Sequence, residues 1–181
     1  MDNNTTRERM ERLWAPWRIE YITSPKDNNE CVLCAAPAGT NDEETVLVYR
    51  GSRNFILMNR FPYSPGHLLV APYLHTADLA DLSGETGVEH LELVRLCVDL
   101  LSDATRADGF NIGLNLGRVA GAGLDKHLHT HVVPRWQGDS NFMPVVADTR
   151  VMSESLSSMY SKLRNALERT GGLSRNPQAS G

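Results

Sequence analysis

His127, His129 and His131 alternate with Leu128, Thr130 and Val132, and Pro134 follows Val133. Alternation with branched apolar residues predicts a β-strand, and a period of two sends all three imidazoles to one face. At a rise of roughly 3.3 Å per residue, neighbouring rings on that face stand about 6.6 Å apart. The other face, Leu128, Thr130 and Val132, is expected to meet an apolar layer. Half of the chain's six histidines therefore share one short strand face, which is costly for a core and useful for chemistry. Three readings fit: a solvated polar face, a His-x-His pair presenting neutral nitrogens to a metal, or nucleophilic catalysis with one ring attacking and its neighbours orienting it. The preceding run from Asn115 to Gly123 holds three glycines. Such a loop brings backbone N–H groups close to an anion, so phosphate donors are expected beside a histidine nucleophile.

Taken in order, the chain predicts a layer of strands and helices. Thr45 to Tyr49, Phe55 to Asn59 and His67 to Ala71 read as strands joined by short turns, hence an antiparallel meander. Glu85 to Arg106 reads as a long helix with Val88, Leu91, Val94, Cys97, Val98, Leu101 and Ala104 at helical spacing and Gly109 beyond its end. His90 is expected on its surface. Phe110 to Leu116 is a fourth strand and the histidine run a fifth. Ser153 to Arg169 forms a second helix, capped by Ser153, with Leu156, Met159, Tyr160, Leu163 and Leu167 on one face. Strands, a helix, then more strands indicate α+β rather than a doubly wound sheet.

Residues 1–11 are polar and expected to be flexible, 12–170 to form one domain, and 171–181 to be a disordered tail. Leu13, Trp14, Trp17, Ile19, Tyr21 and Ile22 concentrate aromatic and apolar area that should pack on the sheet or on a second subunit. A net charge of −4 argues against a nucleic-acid surface, so an anionic ligand needs local donors. No apolar run approaches a membrane span and the start does not resemble a signal peptide, so a cytoplasmic protein is expected. Three cysteines, two as Cys31-x-x-Cys34, suit a reducing compartment and a metal clip better than a disulfide framework. With His75 and His127 they complete a two-cysteine, two-histidine set of the kind that holds structural zinc.

His-φ-His-φ-His-φ-φ resembles the signature of the histidine triad (HIT) superfamily of nucleotide hydrolases and transferases. Asn59-Arg60-Phe61-Pro62-Tyr63-Ser64-Pro65-Gly66-His67-Leu68-Leu69-Val70-Ala71-Pro72 is similar to its N-x-x-P-x-x-P-G-H-φ-L-V-x-P segment. Leu13-Trp14-x-Pro16-Trp17-Arg18 and the run from Pro134 to Phe142 resemble the bacterial diadenosine tetraphosphate phosphorylase branch. The resemblance spans roughly residues 12–165. It implies a five-stranded antiparallel sheet with a long central and a C-terminal helix, and a homodimer. It further implies a nucleotide substrate, no organic cofactor, and structural zinc on Cys31, Cys34, His75 and His127.

In that frame His129 is the nucleophile, His131 reaches the phosphoryl or bridging oxygen, and His127 orients the site from behind. The second nitrogen of His129 should donate to a carbonyl. Asn115 is expected at the phosphates, Asn59 at a ribose hydroxyl, and His67 as a support for the site. Trp136 either closes the pocket or packs. Ala122 and Gly123 stand where many members carry Gly followed by Gln or Ser, so backbone N–H groups from Gly121 to Gly123 are expected to serve, with Lys126 or Arg118 adding charge. The expected reaction is nucleotidyl transfer from a dinucleoside polyphosphate to phosphate or water. A nucleoside phosphoramidate or adenylyl-conjugate hydrolase is the alternative, and a non-catalytic nucleotide-binding module a third.

Overall fold

The computed structural model describes residues 31–139 and 154–172. The aromatic segment of residues 13–22, residues 1–11 expected to be flexible, Asn141 and Phe142, the Ser153 cap, and all of the expected 171–181 tail except Gly171 and Gly172 lie outside them. Helix α1 (Val32–Ala38) and the single turn α2 (Asp42–Thr45) precede β1 (Leu47–Arg50), β2 (Asn54–Met58) and β3 (Leu68–Pro72). Helix α3 (Gly84–Thr105) crosses to β4 (Gly109–Leu114), then come β5 (Thr130–Arg135) and α4 (Leu156–Thr170). The sheet order is β1-β2-β3-β5-β4, and every pairing is antiparallel. The expected meander and α+β layer are both present.

Every residue of β2 and β3 is buried because both faces of the sheet are covered. Along β2, Ile56 and Met58 point into a large core with α3 and α4, while Phe55 and Leu57 point into a smaller one with Leu33 and Ala36 of α1. The sharp entry to β3 uses Gly66 at φ +81, where an added Cβ would come within 2.9 Å of Leu101 Cδ2. Only glycine fits both that conformation and that contact.

Three local expectations need correction. On α3 the buried residues are His90, Leu93, Val94, Leu96, Cys97, Leu100 and Leu101, while Val88 and Leu91 are 61% and 69% exposed. The helix is apolar around so much of its circumference that periodicity alone did not select the face that meets the sheet. It ends at Arg106 in the left-handed conformation, and Gly109 instead opens β4. Helix α4 is capped by Ser155, whose hydroxyl accepts from Ser158 N at 3.2 Å. Its expected apolar face is correct. Tyr160 OH and Arg164 Nη1 donate to Leu47 O and Val48 O, at 3.1 and 2.8 Å, tying α4 to β1.

Candidate active site and metal cluster

Strand β5 starts at Thr130, so His127 and His129 precede the ladder rather than belonging to it. The segment is fixed by other bonds: Leu128 N donates to Thr76 O at 2.7 Å, and His127 Nε2 donates to Pro72 O at 2.8 Å. The alternation survives. Thr130 faces α3, and His129 and His131 line a cavity on the opposite side of the sheet. Their ring centroids are 4.8 Å apart in an edge-to-face arrangement at 72°.

The two rings carry opposite tautomers. His129 Nδ1 lies 2.8 Å from His127 O, and a carbonyl only accepts, so the proton is on Nδ1 and Nε2 has a bare lone pair. Burial pushes the His129 pKa below its ordinary value, against the opposing bond to His127 O, and this keeps the ring neutral. At His131 the order is reversed. Tyr63 N donates to His67 Nδ1 at 3.1 Å, and the Asn59 amide nitrogen is 3.3 Å from the same atom. His67 Nδ1 is therefore an acceptor, and its Nε2–H donates to His131 Nδ1 at 2.9 Å. His131 then carries its proton on Nε2. The Asn115 amide nitrogen stands 3.4 Å from that Nε2, and turning the amide end for end brings its oxygen there to accept the hydrogen bond. His67 is fully buried and stacked on Tyr63 at 4.9 Å.

The cavity measures about 480 Å³. Leu33, Ala36, Leu57 and Leu69 give it an apolar wall, and Asn59, Arg60 and Tyr63 polar edges, with Gly121 and Gly123 also at the lining. A small-molecule site of this size, apolar with a few convergent polar groups, suits a planar base and its sugar. Several polar groups expected at the ligand have partners elsewhere. Gly121 N donates to Arg118 O at 3.0 Å, closing a 3-10 turn, and Arg118 pairs with Asp125 at 3.3 Å. Asn59 Oδ1 accepts from Phe61 N at 2.9 Å. Trp136 does not line the cavity; its Nε1 donates to Thr105 O at the end of α3, so it packs.

Cys31, Cys34, His75 and His127 converge, with their donor atoms all within 4.8 Å of one another. His127 Nδ1 is 3.3 Å from Cys31 Sγ and 3.5 Å from Cys34 Sγ, and His75 Nδ1 is 3.3 Å from Cys34 Sγ. Ligands about 2.3 Å (sulfur) and 2.0–2.1 Å (nitrogen) from one tetrahedral ion are separated by about 3.5 Å, so these three edges already have about the required length. The bond from His127 Nε2–H to Pro72 O leaves the Nδ1 lone pair for the metal. This set is able to hold a metal ion.

One polar group was missed from the sequence. His90, expected at the surface, is 6% exposed between α3 and the sheet, and burial lowers its pKa to about 4. It bonds Asn54 Oδ1 at 3.0 Å and Thr130 Oγ1 at 2.7 Å. The signal was its spacing, since His90 stands four, seven and eleven residues before Val94, Cys97 and Leu101.

Comparison with known proteins adds to this geometry. A family described as HIT domain matches residues 40–138. An AP-4-A phosphorylase of Mycobacterium tuberculosis is 36% identical over 157 residues, covering 83% of this chain and 80% of the relative. A hypothetical histidine triad nucleotide-binding protein of Sulfolobus tokodaii has a similar structure, at TM-score 0.61 and 27% identity, covering 77% of this chain and 93% of that one. A zinc-bound histidine triad family protein of Mycobacterium smegmatis matches at TM-score 0.59 and 28% identity, over 78% of this chain and 96% of that one.

Proposed function

The chain belongs to the HIT domain family, and on that premise we propose that it transfers a nucleotidyl group from a dinucleoside polyphosphate of the diadenosine tetraphosphate type through His129. The opposite tautomers of His129 and His131 carry this reading. Anionic phosphate oxygens repel hydroxide, whereas a neutral imidazole lone pair approaches without that penalty and divides one displacement into two. His129 Nε2 attacks the α-phosphorus, the bond to the bridging oxygen breaks, and ATP departs. His131 Nε2–H donates to the departing oxygen as its charge grows. His127 O steadies the positive charge that develops on His129 through the Nδ1–H bond. In the second half an incoming oxygen attacks the phosphorus and frees His129. Phosphate gives ADP and water gives AMP. The kinship with a phosphorylase favours phosphate.

The test is diadenosine tetraphosphate labelled in its adenylyl group, offered with and without inorganic phosphate. Phosphate-dependent ADP together with acid-labile label on the protein is the expected result. No label and no turnover leaves a nucleotide-binding module, and turnover of phosphoramidates alone selects that class of hydrolase.

The same reading gives Cys31, Cys34, His75 and His127 one structural zinc ion per chain. Four protein ligands close the coordination, so the ion supplies stability to the start of α1 and no position for substrate. Elemental analysis finding no metal removes this assignment. A homodimer is supported by exposed Val88 and Leu91 on α3 and by β4, an edge strand with Ile112 exposed. Light scattering at the mass of one 20.1 kDa chain would refute it. Among the described residues no helix is long and apolar enough to cross a membrane. We place the chain in the cytoplasm, where the cluster's thiols stay reduced.

A further inference from the structure

Behind the catalytic pair, on the helix side of the sheet, runs a chain of hydrogen-bonded polar groups, from the half-buried Glu89 to the buried Asn54, His90 and Thr130, none of which lines the cavity or belongs to the metal cluster. It begins at the β1–β2 turn, where Glu89 of α3 accepts from Ser52 N, Arg53 N and Asn54 N at 2.6, 2.7 and 2.9 Å. Burial raises the Glu89 pKa, but these bonds and the one from the Asn54 side chain outweigh it and keep the carboxyl below its usual range. The turn is built tight against this carboxylate, since a Cβ at Gly51 would lie 2.8 Å from Glu89 Oε1.

The polarity of every later link follows from that carboxylate. Asn54 is fully buried, and its amide nitrogen donates to Glu89 Oε2 and to Thr86 O, each at 3.0 Å. Both acceptors require NH₂ at that end, so the amide oxygen must face His90 Nδ1, 3.0 Å away. His90 therefore carries its proton on Nδ1. Its Nε2 is an acceptor, and the single hydroxyl proton of Thr130 points to it across 2.7 Å. Thr130 is the residue between His129 and His131, and it is the first residue of β5.

We propose that His90 is a positioning residue for nucleotidyl transfer: through Thr130 it fixes where β5 begins and so the relative placement of His129 and His131. The inference rests on the nucleotidyl-transfer reading above. Thr130 has ladder partners in Val70 and Leu114, whereas His129 has none. The nucleophile is thus held between two fixed points, the Leu128 N–Thr76 O bond on one side and Thr130, with its side-chain anchor, on the other. Misplacing a reacting group by about 1 Å costs on the order of a hundredfold in rate. The cavity walls lie on the opposite face and are untouched by the anchor, so its loss should reach the chemical step and spare ground-state binding.

The experiment compares Thr130→Val, which keeps the shape and removes the hydroxyl, with Thr130→Ser, which restores it, in the full chain. Single-turnover labelling of His129 and steady-state kinetics are measured well below each variant's melting temperature. Leu163→Ala, in the core of α4, serves as a control for general destabilisation. Thr130→Val should slow labelling and kcat about tenfold with KM within twofold, Thr130→Ser should recover most of the rate, and the control should keep wild-type kcat. Unchanged kcat in Thr130→Val, no recovery in Thr130→Ser, or an equal loss in Leu163→Ala overturns the proposal. Imidazole nitrogen NMR on wild-type protein supplies an arm that needs no variant: His90 must be the neutral Nδ1–H tautomer, and an Nε2–H tautomer refutes the chain of donors. Absence of turnover by the wild type would instead count against the nucleotidyl-transfer reading, leaving the tautomer result to be judged separately.

Discussion

The two faces of the sheet are built to different ends. On one, Val48, Ile56, Met58, Leu68, Val70 and Val132 meet two helices of 22 and 15 residues and form the larger core. On the other, Phe55, Leu57, Leu69 and Ala71 meet a helix of 7 residues, and much of the remaining space is cavity. Polar groups divide the same way. His90, Asn54 and Thr130 satisfy one another inside the helix face, whereas His129 and His131 line the cavity on the other. A single pleated sheet thus separates the work of staying folded from the work of holding a ligand, with adjacent residues of one strand serving opposite sides.

The sharpest break in that division should come at the nucleophile. His129→Ala is expected to lower turnover by at least about a thousandfold, while nucleotide affinity, read by titration calorimetry, stays within a few-fold. Activity within tenfold of wild type would remove His129 from the role. Next in size is a pair of core truncations. Leu163→Ala on the thick face should cost about 2–5 kcal/mol in denaturant unfolding, the usual range for a buried leucine, and leave nucleotide affinity unchanged. Leu33→Ala, on the cavity wall, should cost less stability and weaken affinity more. The reverse pattern would erase the distinction between the faces.

The smallest effect is set by His90. Its folded pKa of about 4 lies below the ordinary 6.5, so the unfolded chain takes up a proton first as pH falls. The contribution is complete above pH 6.5 and lost progressively from there down to about pH 4, a loss on the order of 3 kcal/mol. Unfolding free energies between pH 7 and 4 in the native protein and in His90→Gln check it. The slope should flatten in the variant, and an unchanged slope would assign the acid sensitivity to other groups.

Much of this division was legible beforehand. Strict alternation from His127 to Val132 placed the imidazoles on one side and Thr130 and Val132 on the other. The Cys31, Cys34, His75 and His127 cluster was readable because metal ligands are few in type and demanding in number. What escaped depended on contacts between distant elements. Nothing local to α3 says that Asn54, 36 residues earlier, will meet His90. Nor does the loop sequence reveal that the Gly121 N–H closes its own turn and that Arg118 is drawn to Asp125. Trp136 was ambiguous because an indole packs as readily as it recognises a ligand, and the end of α3 decided the matter. The Ser155 cap differed from the expected Ser153 because Ser153, Ser155, Ser157 and Ser158 crowd one short stretch, and composition does not choose among them.

His127 gives the metal cluster its side chain and gives His129 only its main-chain oxygen. The second contribution is common to all twenty amino acids, so no point mutation at this position deletes the acceptor itself. The consequence concerns heredity. Under the proposed function, selection for the His129 tautomer does not act on the identity of residue 127, whereas selection for a metal ion on the four-residue set does. A lineage without that metal is then free to replace this histidine, provided the backbone path holds, while the Nδ1–H of His129 keeps its acceptor.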